Sequence, residues 1–186
     1  MSNVRPQVLR LWLFSILEYL LGFLALAIFA AVAFGKGPPS DEHLVFAFKV
    51  SAVVALAELV VLMSRSAPAN RLILGANLWL IAGGAAAFTE QWWWLKGYQR
   101  LGEAGLFVSM LLVGLVTTAF SPLGFVAASG THTKVILASV ALLTAVGVAL
   151  AVSVHYRGDV RLAAVIPVIA LSWLYRLLKL SVRRGA

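Results

Sequence analysis

Long uninterrupted apolar blocks constrain this chain more than any other feature. From Leu11 to Phe34 the only charged side chain is Glu18. Similar runs follow at Leu44–Met63, which carries Lys49 and Glu58, and at Leu72–Phe88 and Ala104–Ala127, which carry no charge. The last two are Val135–Val154 and Leu162–Leu180, with Arg176 and Lys179 close to the end of the latter. A hydrocarbon core of ~30 Å takes about 20 helical residues to cross. In lipid such a segment must satisfy its own backbone hydrogen bonds, which a lone segment does only as an α-helix. The blocks predict an all-α, polytopic transmembrane bundle with six spanning helices. The third block is short, and its helix is free to continue into the segment that follows.

Composition supports lipid as the solvent. Hydrophobic residues make up 62% of the 186 and charged residues 12%, against roughly 45–50% and about 25% in soluble domains. A soluble fold of this size buries only about two-thirds of its unfolded surface and could not hide the excess. The net charge of +8 would suggest nucleic acid in a soluble protein. Here the basic residues flank apolar blocks and read as topology signals, so the expected partner is the bilayer and not nucleic acid. Cysteine is absent, which removes disulfides, thiolate nucleophiles and cysteine metal sites. The first block is too long for a signal-peptide core and lacks a following cleavage pattern, so a retained span is expected.

The connections are short and carry breakers, as in Gly35-Lys36-Gly37-Pro38-Pro39-Ser40 and Ser129-Gly130-Thr131-His132. The expectation is one integral membrane domain over 1–186. With the N-terminus inside, Arg5, Arg10, Arg65, Arg71, Lys134, Arg176, Lys179, Arg183 and Arg184 fall on the cytoplasmic side. Lys36, Lys49, Lys96, Arg100, Arg157 and Arg161 fall on the other. Because Lys and Arg favour the cytoplasm, both termini are expected there.

Glu18 and Glu58 are the leading candidates for chemistry, because a charged side chain inside a span costs a few kcal/mol and asks for a reason. Glu18 lies eight residues from Arg10 and Glu58 seven from Arg65, rises of ~12 and ~10 Å at 1.5 Å per residue. Asn77, six residues past Arg71, reaches the same layer at ~9 Å. Ser15, Glu18 and Gly22 share one helical stripe, and Ser51, Ala55 and Glu58 another, a pattern that marks helix–helix contact in lipid. Two neighbouring buried carboxylates cannot both be ionised cheaply, so a proton or cation site is expected across Glu18, Glu58 and Asn77. The bland alternative is a protonated glutamate bonded to Asn77 or to a backbone carbonyl.

The segment Thr89–Glu103 carries Trp92, Trp93, Trp94 and Tyr98. Trp94, Leu95, Tyr98 and Leu101 fall on one helical face, with Lys96, Arg100 and Glu103 on the other. A short interfacial helix at the outer leaflet is expected, with an aromatic lid or lipid-binding lip as the sharper alternative. Pro122 is placed to kink or end the fourth span, and Pro167 to do so in the sixth. His43, His132 and His155 are expected to be solvated, and no metal or cofactor is implied. The chain has no H-E-x-x-H, no G-x-S-x-G and no P-loop, so no enzymatic activity is expected. Gly105/Ser109 and Gly83/Ala87 form small-x-x-x-small faces, suited either to packing within one chain or to association with a second copy or another membrane protein.

Asp41-Glu42, Phe48-Lys49-Val50-Ser51 and Ala55-Leu56, followed by Arg71-Leu72-Ile73-Leu74-Gly75 and Asn77-Leu78-Trp79, resemble the bacterial intracellular septation protein A family over about a third of the chain. The spacing between these blocks departs from the family pattern, and Glu18 and Glu58 have no counterpart in it. The resemblance implies a bacterial inner-membrane, non-enzymatic, envelope- or division-associated protein acting through helix–helix or lipid partners. The residues themselves favour a small transporter or channel built on the carboxylate layer.

Overall fold

The structure, a computed structural model, describes residues 22–35, 37, 40–64 and 68–184. Among these there are seven α-helices, one π-helical turn and no strand. They are α1 (Leu24–Phe34), α2 (Asp41–Met63), α3 (Arg71–Phe88), α4 (Trp92–Leu101), α5 (Ala104–Phe120) and α6 (His132–His155). The π turn Arg161–Val165 then leads into α7 (Ile166–Arg184). Four segments are long and apolar enough to cross a membrane: Asp41–Met63, Arg71–Phe88, His132–His155 and Arg161–Arg183. Leu24–Phe34 and Ala104–Phe120 are shorter apolar helices.

Local chemistry sets the helix starts. Ser40 Oγ accepts the His43 amide at 3.3 Å, and Asp41 and Glu42 occupy the first turn of α2, where the helix dipole favours negative charge. Asn70 Oδ1 accepts the Leu72 amide at 3.0 Å and caps α3. Asp159 Oδ1 accepts the amides of Arg161 at 3.0 Å and Leu162 at 3.3 Å, opening the π turn. Pro167 lies just beyond that turn, and having no amide hydrogen it cannot continue the regular ladder backwards.

Two expected spans differ in extent, and the described part of a third is interrupted. Of the first, only the part from Gly22 onward is described, and it is not continuous helix: Phe23 sits at φ −111°, ψ 11°, and α1 begins after it. Eleven residues rise ~16 Å, about half of a hydrocarbon core. The third block stops at Phe88 instead of running on, because Glu90 adopts φ 55° and breaks the ladder before α4. The fourth stops at Phe120 instead of Ala127. Pro122 follows, and Gly124 to Ala128 fold back as a buried loop. The loop meets its polar needs inside the protein: the Phe125 amide donates to Ser139 Oγ at 2.8 Å. The Arg71 guanidinium donates to the Gly124 carbonyl and, at 2.6 Å, to Ser121 Oγ. Irregular backbone survives among apolar helices when protein surrounds and satisfies it.

The bundle is organised on α3. Its apolar window is 61% buried, against 22–33% for the other three long segments. Helices α1, α2, α4 and α5 all pack against it, and α6 and α7 extend the bundle beyond α5. Small residues make this close packing achievable. A Cβ on Gly75 would lie 2.8 Å from Met110 Cα, and Ser109 Oγ donates to the Gly75 carbonyl at 2.8 Å. A Cβ on Gly84 would overlap the Ala52 methyl and sit 3.1 Å from the Phe48 carbonyl. Gly83, like Gly84, meets α2, and Ser109 on α5 meets α3, so these small-residue faces serve packing within one chain. Large apolar side chains instead point outward, with Phe120 85%, Met63 77% and Leu137 68% exposed, as suits a lipid-facing surface.

Two glycines should respond oppositely to substitution. Gly84→Ala should destabilise the protein by about 1–3 kcal/mol, since the α2 backbone cannot withdraw from the new methyl. Gly147→Ala, where a Cβ meets nothing within 4 Å, should be neutral or stabilising by up to about 1 kcal/mol. Thermal transitions in one detergent test the pair; equal responses would contradict the packing described for α3.

Candidate functional site

Glu58 lies five residues before the end of α2, ~8 Å along the helix axis. It is half-buried, and its carboxylate faces the start of α1. Oε1 accepts the backbone amide of Ala25 at 2.9 Å. Ala25 is the second residue of α1, so its amide has no partner within its own helix. Phe23, at the cap position, supplies no side-chain hydrogen bond. A side chain from α2 thus performs the capping that Phe23 does not. Oε2 accepts Asn77 Nδ2 from α3 at 2.9 Å. One carboxylate thereby ties three helices together at one depth.

Asn77 is 1% exposed, and its Oδ1 has no hydrogen-bond partner among the described residues. A buried acceptor without a donor costs about 1–3 kcal/mol. The acceptor is supplied if Glu58 takes up a proton and the amide turns over, since a protonated carboxyl donates one hydrogen bond to an amide oxygen. A bound cation would satisfy the same oxygen together with the carboxylate. Few charges compete: α1 has no ionisable side chain, and the only one in α3 is Arg71, which is tied to the loop after α5. Lys49, nine residues from Glu58 on α2, has Nζ 5.4 Å from the Phe88 ring centroid. The pairing of Glu18 with Glu58 lies outside the described residues.

The aromatic residues of α4 divide. Trp92 and Trp93 are exposed and Trp94 is half-buried, with Trp93 Nε1 donating to Gln91 Oε1 at 2.8 Å. Tyr98 turns inward, 8% exposed, and joins a ring cluster with Phe29, Phe48 and Trp79. Its centroid lies 5.0 Å from Phe48, 5.6 Å from Trp79 and 6.2 Å from Phe29. Burial raises the Tyr98 phenol far above its usual range, and the charge of Glu103 adds to the shift. The simple two-face reading of this segment is therefore corrected at two residues: Leu101 is exposed and Glu103 is buried. Gly102 reverses the chain at φ 56°, which takes Glu103 off the α4 face and places it at the start of α5.

No family model, no curated protein and no solved structure matches the chain. Several residues that carry the septation-protein resemblance, Phe48, Ser51, Ala55, Gly75, Asn77 and Trp79, are buried on α2 and α3.

The capping role is testable by amide exchange. Glu58→Leu should raise exchange at Ala25 by roughly the 0.5–2 kcal/mol typical of a lost cap. Glu58→Gln should leave it near the parent value, because the amide oxygen still accepts. Unchanged protection in Glu58→Leu would contradict the cap.

Proposed function

We propose that this chain is a six-span membrane protein with both termini in the cytoplasm, and that it works as a small proton- or cation-coupled transporter centred on Glu58 and Asn77. The observation that carries the reading is the carboxylate at the start of the short helix α1, beside a buried amide oxygen that lacks a donor among the described residues. Broken helices whose ends face the interior recur where membrane proteins bind ions, because their terminal amides and carbonyls are already oriented. Here the start of α1 is the positive end, and it meets an anionic side chain.

Each protonation state has its own set of bonds. The ionised carboxylate accepts from Ala25 and Asn77. The protonated carboxyl would donate to the turned amide of Asn77 while its other oxygen still accepts Ala25. Exchange of one proton then rearranges bonds at the α1–α2–α3 junction and moves the unpartnered position on Asn77 from Oδ1 to the amide nitrogen. A cation at the same place would bridge Glu58 and Asn77 Oδ1. The inner-membrane location follows from the basic-residue asymmetry and the resemblance together.

Difference infrared spectroscopy of reconstituted protein across a pH step tests this. The wild type should show a protonated-carboxyl band that shifts in heavy water and is absent from Glu58→Gln, while both proteins keep the same thermal transition. A band unchanged by Glu58→Gln would sink the proton reading. A Glu58 that never changes state, and binds no sodium or potassium, would leave the partner-organising envelope protein as the better account.

A further inference from the structure

A cleft of about 400 Å³ runs between α1 and the π turn with α7, floored by α3 and α5. That volume lies within the ~300–1,000 Å³ of ordinary ligand pockets. Its walls are almost wholly apolar, and the Glu103 carboxylate at its edge adds practically no surface to them. Phe29, Trp79 and Tyr98 form one wall. They hold one another edge to face, Phe29 meeting Trp79 at 5.3 Å and Tyr98 at 6.2 Å. Ala164 and Val168 line the opposite side.

The cleft is continuous with the outside of the bundle. Val165 and Ile169 belong to its lining and are also 43% and 53% exposed. They lie on the least buried of the four long apolar segments, Arg161–Arg183. In a membrane such an opening faces hydrocarbon. Single π turns within helices collect at functional sites, and this one supplies Ala164 and Val165 to the lining. One end of the cleft meets polar residues. Arg161 is exposed and opens the π turn directly after Val160, which lines the cleft. The Arg157 side chain lies over Gly102, next to Glu103. Asp159 stands between the two arginines in the chain and turns Oδ1 to the amides of Arg161 and Leu162.

We infer that this cleft is a binding site for one phospholipid, with an acyl chain between the aromatic wall and the π turn and the headgroup phosphate at Arg161. The lining selects the chain. A polar ligand would lose its hydrogen bonds to water against these walls and gain none in return. An apolar cavity does not hold water, and a cleft left empty forfeits the dispersion contacts of its lining atoms. A lipid chain entering from the side meets neither cost. The polar end selects the head. Arg161 offers a guanidinium to a phosphate. Arg157 and Arg161 are matched in number by Glu103 and Asp159, so a zwitterionic headgroup suits this end better than one of net negative charge. The assignment rests on the membrane setting and not on proton exchange at Glu58.

The test titrates the full chain in dodecyl maltoside with dioleoylphosphatidylcholine and counts retained lipid by native mass spectrometry. One lipid should bind ahead of the rest. Ala164→Phe, which fills the cleft, should weaken that first binding by about tenfold or more, the loss expected when roughly two methylenes are no longer buried. Val168→Trp replaces it if that variant lacks the parent's thermal transition. Val148→Trp, on the exposed face of α6, should leave the first binding unchanged. Arg161→Gln should weaken it about three- to fivefold, the scale of a surface charge contact. Dioleoylglycerol, with the same chains and no phosphate, should bind more weakly than the phospholipid and ignore Arg161→Gln. Equal retention in the cleft-filled and Val148→Trp variants would show unspecific surface lipid and overturn the inference. So would dioleoylglycerol binding as tightly as the phospholipid, undiminished binding in Arg161→Gln, or the absence of a distinct first lipid.

Discussion

The hydrogen bond from the Ala25 amide to Glu58 is the interaction on which the rest of the arrangement depends. An α-helix that begins among apolar helices exposes amides that lipid cannot satisfy. Phe23 offers no side-chain acceptor, so the acceptor comes from the neighbouring helix. The energies are of similar size. A charged side chain at mid-span costs about 2.5–3.5 kcal/mol on insertion scales. A cap contributes about 0.5–2 kcal/mol, and the helix dipole up to ~2 kcal/mol in a partly buried setting. The donors thus roughly offset the cost of placing a carboxylate there.

That bond needs helices at close range, and close range comes from α3. Gly75, Gly83 and Gly84 let the backbones of α2 and α5 approach, and Asn77 on the same helix reaches Glu58. The aromatic cluster two residues further along α3 fixes Trp79 against Phe29, Phe48 and Tyr98. Residues two apart on α3 therefore serve two sites, Asn77 the carboxylate and Trp79 the cleft. Helix α1 borders both.

Much of this was legible in the sequence, and the exceptions have physical reasons. The apolar blocks mark the long helices, and the depth count from basic residues puts Asn77 level with Glu58. The backbone partner of Glu58 was hidden, since hydropathy does not register a break between leucines and phenylalanines. Gly22, inside the first block, was the one available sign. The fourth block reads as a span through Ala127 because Leu123 to Ala127 are apolar, whether they lie in a helix or a buried loop; Pro122 and Gly124 carried the distinction. Glu103 reads as solvent-facing by helical spacing, which fails once Gly102 turns the chain. The cleft joins residues from four distant segments and had no local signature.

The central claim is that the Glu58 carboxylate holds the start of α1 and changes its proton there. Its most direct test is the amide resonance of Ala25 followed through a pH titration of the labelled protein in a bilayer mimic. The account predicts a single-group titration curve at Ala25, transmitted to the Asn77 side-chain amide, and lost at both sites in Glu58→Gln. An Ala25 resonance independent of pH, or one titrating identically in Glu58→Gln, would contradict it.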